Sequence, residues 1–396
     1  MTVTKTFKYC CYPNPEQQVL LAKHFGAKRF VYNYFLNERK TLYIENKTTL
    51  NYYDNAKSLT ALKQSECEWM KEINSQSLQA ALRDLDVAYN KFFRKEAQFP
   101  RFKSKRDKQS FRVPQFVKYE SGWLTIPKFK QPIKVKEDRP LTGKILFATL
   151  SRKSSGKYFA SITVETEHIP YAPTDKEVGV DLGIKDLAIC SDGTKHPNIR
   201  TTYKHQKKLA YQQRQLSKKT KGSNSRWRQR VRVARVHEKI SNIRHNYLHQ
   251  ISSQIVRENQ TICCESLAVV NMMKDSHHAK SIADASWGEL LRQLQYKSEW
   301  NGRTFVQIDR FFPSSKTCNK CKFIKDDLTL DDREWTCPVC GSELDRDLNA
   351  AENILEQGLK IYSGLGTKSE LKQKCEEASL LGESMSHETQ PSLVVG

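Results

Sequence analysis

Hydrophobic residues at Val178, Val180, Leu182 and Ile184 alternate with other residue types, a period of two that predicts a strand. A second apolar run from Leu187 to Cys190 follows, and Asp192-Gly193 is a hairpin turn signal. Asp181 therefore falls mid-strand between apolar neighbours, where a carboxylate is costly to bury unless a cation pairs with it. Further upstream the period changes. Leu78, Leu82, Leu85, Tyr89 and Phe92 step by 3 or 4 and predict an amphipathic helix over 75–97, a core stripe rather than a row of stacking rings. Asn14-Pro15-Glu16-Gln17 combines an Asn N-cap, Pro at the first helical position and Gln three residues after the cap. It predicts a helix running into the forties. Thr2 to Tyr9 reads as a strand, and short strands are expected at 123–126, 133–136, 144–150 and 158–164. Together these predict a small β-barrel from residues 1–12 and 98–170, with a helical insertion at 13–97.

Downstream, Gly222-Ser223-Asn224-Ser225 marks a turn inside a helical hairpin. In its second arm Val233, Val236, Ile240, Ile243, Tyr247, Ile251 and Ile255 form the packing stripe. Thr261 to Cys264 is a β-type run closed by Glu265. Residues 271–285, with His277 and His278, read as a mobile loop, before a helix at 287–300 and a strand at 304–308. Ala350, Ala351, Ile354 and Leu355 mark a last helix beginning about Asp347, where Asp345 has the position of a cap.

Charge changes the picture most. Lys and Arg number 66 against 44 Asp and Glu in 396 residues, a formal net charge of +22 that favours a polyanionic partner, most simply nucleic acid. The length suggests two to four domains. No apolar stretch approaches the roughly 18 residues of a membrane span, and the first nine residues lack a signal-peptide core, so a cytosolic chain is expected. Residues 204–257 carry 15 Lys or Arg and one acid, so their outer face suits a phosphate backbone: Lys218, Lys219, Lys221, Arg226, Arg228, Arg230 and Arg232. Phe99 to Arg112 interleaves rings with Arg101, Lys103, Lys105 and Arg106, the composition of a nucleic-acid surface.

Four of the eleven cysteines form the strongest local signal. Cys318-x-x-Cys321, fifteen residues, then Cys337-x-x-Cys340-Gly341 match a tetrahedral site for one Zn²⁺. Four thiolates leave no open position, so that zinc is structural, with Trp335 and Phe323 covering a module at 309–342 that has little core of its own. Asp181, the strand-end Glu265 and the helix-start Asp form a further set. Ribonuclease-H-like nucleases arrange carboxylates in this way around two divalent ions, roughly 3.5–4 Å apart, for in-line phosphodiester cleavage. Oxygen ligands suit Mg²⁺.

Several motifs also resemble the TnpB (OrfB) proteins of small insertion sequences, relatives of the type V CRISPR effectors. They are Asp-Leu-Gly-Ile-Lys at 181–185, Trp-Gly-Glu-Leu-Leu-Arg-Gln-Leu at 287–294, Ser-Ser-Lys-Thr-Cys at 314–318, the second Cys knuckle and Asp-Arg-Asp-Leu-Asn-Ala-Ala at 345–351. The resemblance covers about residues 1–360. It implies an α+β multidomain protein: the barrel as a wedge with its helical recognition lobe, then a RuvC-like (ribonuclease-H-like) α/β nuclease at 171–308 and 343–365 interrupted by the Cys₄ zinc ribbon. It implies Asp181, Glu265 and Asp347 as catalytic ligands of two Mg²⁺ ions. It further implies a monomeric ribonucleoprotein in which a guide RNA from the transposon end selects double-stranded DNA beside a short motif, with no membrane partner. A DNA transposase and a nuclease-inactive, RNA-guided repressor are the alternatives. The acidic tail, 366–396, is expected to be disordered.

Overall fold

The computed structural model describes residues 1–329 and 332–364, so the expectation for the tail lies outside the described residues. Among the described residues the chain divides into two compact units, 2–167 and 168–364.

In the first unit, strand β1 (Thr2–Tyr12) leads into α1 (Pro15–Asn46), α2 (Tyr52–Gln64) and α3 (Ser75–Phe93). The chain returns through β2 (Gln109–Val113), β3 (Lys118–Glu120), β4 (Trp123–Thr125), β5 (Ile133–Val135), β6 (Lys144–Arg152) and β7 (Tyr158–Glu167). These strands form one seven-stranded antiparallel sheet in the order β2-β6-β7-β1-β5-β4-β3. Asn14 and Gln17 make the reciprocal capping bonds that the start of α1 requires. The helices have a core of their own, with Phe35, Met70, Leu78, Leu82 and Leu85 fully buried.

Three expectations change here. The sheet is a curled half-barrel rather than a closed barrel, because β2 and β3 remain at opposite edges. Leu21 and Phe25 of α1 fill the sheet's core instead. A helix, α2, lies where none was expected: its capping signal, Asn51 with Asp54, sits in a polar stretch with a weak stripe. The basic segment 99–112 is also only partly a surface, since Phe111 is buried within β2.

The second unit begins with the hairpin β8 (Glu177–Asp181) and β9 (Asp186–Cys190), then β10 (Lys195–Pro197). Two long helices follow, α4 (Thr201–Ser217) and α5 (Asn224–Glu258). After β11 (Thr261–Glu265) come two short helices, α6 (Val269–Met272) and α7 (Ala279–Ala285), where a loop was expected. Helix α8 (Trp287–Trp300) and β12 (Thr304–Ile308) complete the five-stranded sheet β10-β9-β8-β11-β12. In it β8, β11 and β12 are mutually parallel, and β9 and β10 antiparallel. A two-stranded ribbon, β13 (Glu334–Thr336) and β14 (Glu343–Asp345), precedes α9 (Arg346–Gly364). Of the predicted stripe on α5, Val236, Ile240, Ile251 and Ile255 are buried, Val233 and Tyr247 are half-buried and Ile243 is 37% exposed; Leu248, Ser252 and Val256 complete the buried face.

Helix α9 lies directly on the parallel strands. A Cβ added at Gly179 of β8 would sit 2.0 Å from the Ala351 carbonyl oxygen, and one at Gly358 would meet the Cys263 sulfur of β11 at 2.3 Å. Ala350 and Ala351 are buried in the same contact. Small residues on both surfaces allow this approach. Gly179→Ala should therefore cost about 1–3 kcal/mol or more, because the atoms that must yield belong to backbone. Chemical denaturation checks it, and a wild-type midpoint would mean that α9 can move off β8 freely.

Candidate carboxylate centre and cysteine cluster

Strand pairing brings the first two carboxylates together. Cys264 lies opposite Val180 in the parallel ladder, so Asp181 and Glu265, each the last residue of its strand, end side by side. Neighbouring strands run about 4.8 Å apart. Asp181 thus closes β8 rather than sitting mid-strand, because Leu182 to Lys185 form the turn into β9. Trp287, buried at the start of α8, donates from Nε1 to the Gly183 carbonyl at 3.3 Å and pins that turn. Burial pushes the Asp181 carboxyl well above its usual range, as do hydrogen bonding to Glu265 and the negative charges of Glu265 and Asp347, while Arg346 opposes them.

Asp345 and Asp347 have different surroundings. Asp345 Oδ1 accepts from the backbone N–H groups of Asp347 and Leu348 at 3.0 Å each, and its Oδ2 pairs with Lys195 Nζ at 2.8 Å. Burial pushes this carboxyl up, but Lys195 and those backbone donors outweigh it and hold it below its usual range. It caps α9. Asp347, in the first turn of α9, is the one whose charge acts on Asp181. Its Oδ2 also lies 3.4 Å from Arg333 Nη1 beside the ribbon, a partner that no sequence periodicity announced. Among the described residues, these three carboxylates are not a set whose ligand oxygens all lie within 4.8 Å of one another.

The four cysteines are such a set. Cys318, Cys321, Cys337 and Cys340 offer sulfurs all within 4.8 Å, with Cys318 to Cys340 at 3.7 Å and Cys321 to Cys337 at 3.4 Å. Sulfurs about 2.3 Å from a tetrahedral centre stand about 3.8 Å apart, so the donor set fits Zn²⁺. Trp335, Leu328 and Leu344 pack around Cys318 and Cys337, with Phe323 partly buried beside them. Two buried asparagines of α9 hold the first knuckle. Asn349 Nδ2 donates to Thr317 O at 2.8 Å and its Oδ1 accepts from Asn319 N at 2.9 Å. Asn353 Nδ2 donates to Ser314 O and Thr317 O at 2.9 and 2.6 Å. Their i, i+4 spacing puts both on one helix face, the only hint of this role in the sequence.

The basic candidates divide by unit. In the first, Arg101, Lys103, Lys105 and Arg106 are exposed, and Asn33 of α1 holds the loop by paired bonds to the Lys103 backbone at 2.8 and 2.7 Å. In the second, Lys218, Lys219, Lys221, Arg228, Arg230 and Arg232 are exposed on the helical hairpin. Arg226 is half-buried and clamps the hairpin turn, donating to Leu216 O and Lys219 O at 3.0 and 2.8 Å. That tie removes it from the exposed set. Among the described residues, no helix is long and apolar enough to cross a membrane.

Comparison with known proteins adds relatives. Residues 161–276 match the OrfB_IS605 family, described as "Probable transposase", and residues 287–354 match the "Cas12f1-like, TNB domain". Residues 1–48 match a family described as "Helix-turn-helix domain", although here they fold as β1 and the whole of an unbroken α1. A protein of Streptomyces pristinaespiralis is 39% identical over 364 residues, spanning 90% of each chain. One of Escherichia coli K12 is 35% identical over 378 residues, spanning 91% of this chain and 93% of its own. Both carry the name "Putative RNA-guided DNA endonuclease". The fold is shared with the protein in a cryo-EM structure of a Cas12f1-sgRNA-target DNA complex, at TM-score 0.55 and 14% identity, covering 89% of this chain and 98% of that one.

The asparagine clamp gives a direct test. Asn353→Ala leaves the Ser314 carbonyl without its donor and removes one of the two donors to the Thr317 carbonyl, and should cost about 1–3 kcal/mol. Hydrogen exchange should quicken across residues 314–319 first, and uniform protection there would exclude the clamp.

Proposed function

The chain belongs to the TnpB (OrfB) family, and from that membership we propose that it is an RNA-guided DNA endonuclease whose hydrolytic centre is Asp181, Glu265 and Asp347. One observation carries the assignment: two carboxylates end adjacent parallel strands in register, and the charge of a third, on the packed helix, acts on the same buried group. The carboxyl ends of parallel strands are where open α/β sheets place their sites. Acids crowded around Asp181 raise its proton affinity, and a cation bound beside it would keep it ionised. Oxygen donors alone suit hard divalent ions, so Asp181, Glu265 and Asp347 would hold Mg²⁺, two ions by the proposed mechanism. Bound there, such ions stabilise the charge that develops on the attacking and leaving oxygens of the phosphodiester.

The protein's own residues prepare that centre. Strand register sets the spacing of Asp181 and Glu265, Trp287 holds the turn beyond Asp181, and Lys195 with the α9 backbone engages Asp345 elsewhere. The Cys₄ cluster holds one structural Zn²⁺. The basic surfaces bind guide RNA and target DNA, the guide selecting its target by base pairing, while the protein reads a short adjacent DNA motif as guided nucleases do. In this reading the half-barrel and its helices form the recognition part, the five-stranded sheet is RuvC-like, and the particle is a monomeric ribonucleoprotein of the prokaryotic cytosol.

Asp181→Ala should lower the cleavage rate of the guide-loaded protein in Mg²⁺ by about a thousandfold or more, as losing about 4 kcal/mol of transition-state stabilisation would. Asp347→Ala should match it, and the double variant should be little worse, because the ligands act as one unit. Asp345→Ala loses a cap and a surface ion pair, and its cleavage should stay within about tenfold of wild type. RNA and DNA binding should survive in all of them. Near wild-type cutting by Asp181→Ala would refute the assignment; products joined to a transposon end would indicate a transposase. Cys318→Ser should reduce bound zinc by about one ion per chain and unfold the ribbon, since such modules depend on their metal. Metal analysis decides this, and full zinc content in the variant would reject the Cys₄ site.

A further inference from the structure

Two histidines of α5 stand in an arrangement that the proposed function does not use. His245 and His249 are four residues apart, so they lie one turn from each other on a single helix face. Their Nε2 atoms approach to 3.1 Å, with the rings at 88° to each other. On α8, Glu289 Oε1 lies 3.5 Å from His245 Nδ1, and Arg292 Nη2 and Gln293 Nε2 hold it there, donating at 2.8 Å each. A carboxylate beside one ring nitrogen keeps the proton there and leaves the lone pair on the other, the usual support of a metal-ligating histidine. The nitrogen so exposed, His245 Nε2, is the one that faces His249. His245 is exposed and His249 half-buried, so an ion can reach the pair from solvent. Burial first, then the charges of Lys297 and His245, lowers the His249 imidazole to about 4, which keeps it in the neutral, ligating form at neutral pH.

We propose that His245 and His249 bind one late first-row divalent transition ion, Cu²⁺, Ni²⁺ or Zn²⁺, with Glu289 as the positioning residue for His245. Two nitrogens 3.1 Å apart and each about 2.0–2.1 Å from one ion subtend about 100° at it, between the octahedral and tetrahedral angles. Imidazole suits these ions, whereas the Mg²⁺ proposed for the carboxylate centre takes oxygen donors. Among the described residues no third His, Cys, Asp or Glu completes a cluster with the pair, so water fills the remaining positions and the ion is exchangeable. The nearby cations are engaged with other partners. Arg292 holds Glu289 through Nε and Nη2, and Lys297 donates to the His249 carbonyl and to the Ser252 and Ser253 hydroxyls. The site stands independently of the cleavage reading.

The test uses the full chain with its cysteine-bound zinc retained, freed of nucleic acid and kept in excess Mg²⁺ so that oxygen-donor sites are occupied. Ni²⁺ is titrated by calorimetry into wild type, His245→Asn and His249→Asn. Wild type should show a Ni²⁺ site that both variants lack. Glu289→Gln keeps both imidazoles and should weaken that site by about ten- to a hundredfold, as losing the partner of a ligating histidine does. Ni²⁺ should raise the melting temperature of wild type and leave that of the His variants unchanged, because the unfolded chain does not hold the two rings together. Identical isotherms in wild type and both His variants would overturn the proposal. Damaged folding could also abolish the site in a variant, so wild type alone is examined with one equivalent of Cu²⁺, the tightest-binding ion of the series, by electron paramagnetic resonance. Superhyperfine splitting from two imidazole nitrogens supports the pair, and a spectrum with any other donor set overturns it.

Discussion

Helix α9 meets strand β8 where neither side has room for another carbon: the Gly179 hydrogen faces the Ala351 carbonyl, and Gly358 faces Cys263 one strand away. Much else follows from that contact. A helix seated so low on a parallel sheet brings its first turn to the level of the strand ends, where Asp181 and Glu265 stand. A larger residue at either glycine would lift the helix and carry Asp347 away from its neighbours. Backbone against backbone also makes the position stiff, since no rotamer can absorb a shift.

The carboxylate centre and the basic surfaces pose opposite electrostatic problems within one chain. At the centre, burial, the hydrogen bond to Glu265 and the charges of Glu265 and Asp347 push the Asp181 carboxyl above its usual range. Along α4 and α5, by contrast, Lys208, Arg228, Arg230, Arg232, Arg235 and Lys239 are exposed. Crowded acids favour a cation among them, and an exposed basic face favours an anion. A net charge of +22 is thus not evenly spread solubility charge. Fifteen of the 66 Lys and Arg fall within residues 204–257, beside a single acid.

The ribbon is bound into the second unit by polar contacts rather than by a large core. Asn349 and Asn353 of α9 hold the first knuckle, and Arg333 beside β13 reaches Asp347. The helix that presents Asp347 therefore also fixes the cysteine cluster.

Local chemistry was legible in the sequence. Alternation marked β8, the reciprocal Asn14–Gln17 pattern marked the start of α1, and the two Cys-x-x-Cys pairs marked a cluster whose sulfurs do converge. These signals depend on neighbours within a few residues, and so they survive in a linear reading. What the sequence left open required partners far along the chain. Asp345 and Asp347 are two residues apart and alike in composition, yet Lys195 and the helix N-terminus engage one while the other acts on Asp181. Arg226 looked like its exposed neighbours until the carbonyls of Leu216 and Lys219 claimed it. Phe111 looked like a ring on a basic surface, and pairing of β2 with β6 buried it. The half-barrel stayed open for the same kind of reason, because strand edges and helix contacts, not strand propensities, decide closure. Periodicity records which face a residue occupies; the pairing of distant segments decides what that face meets.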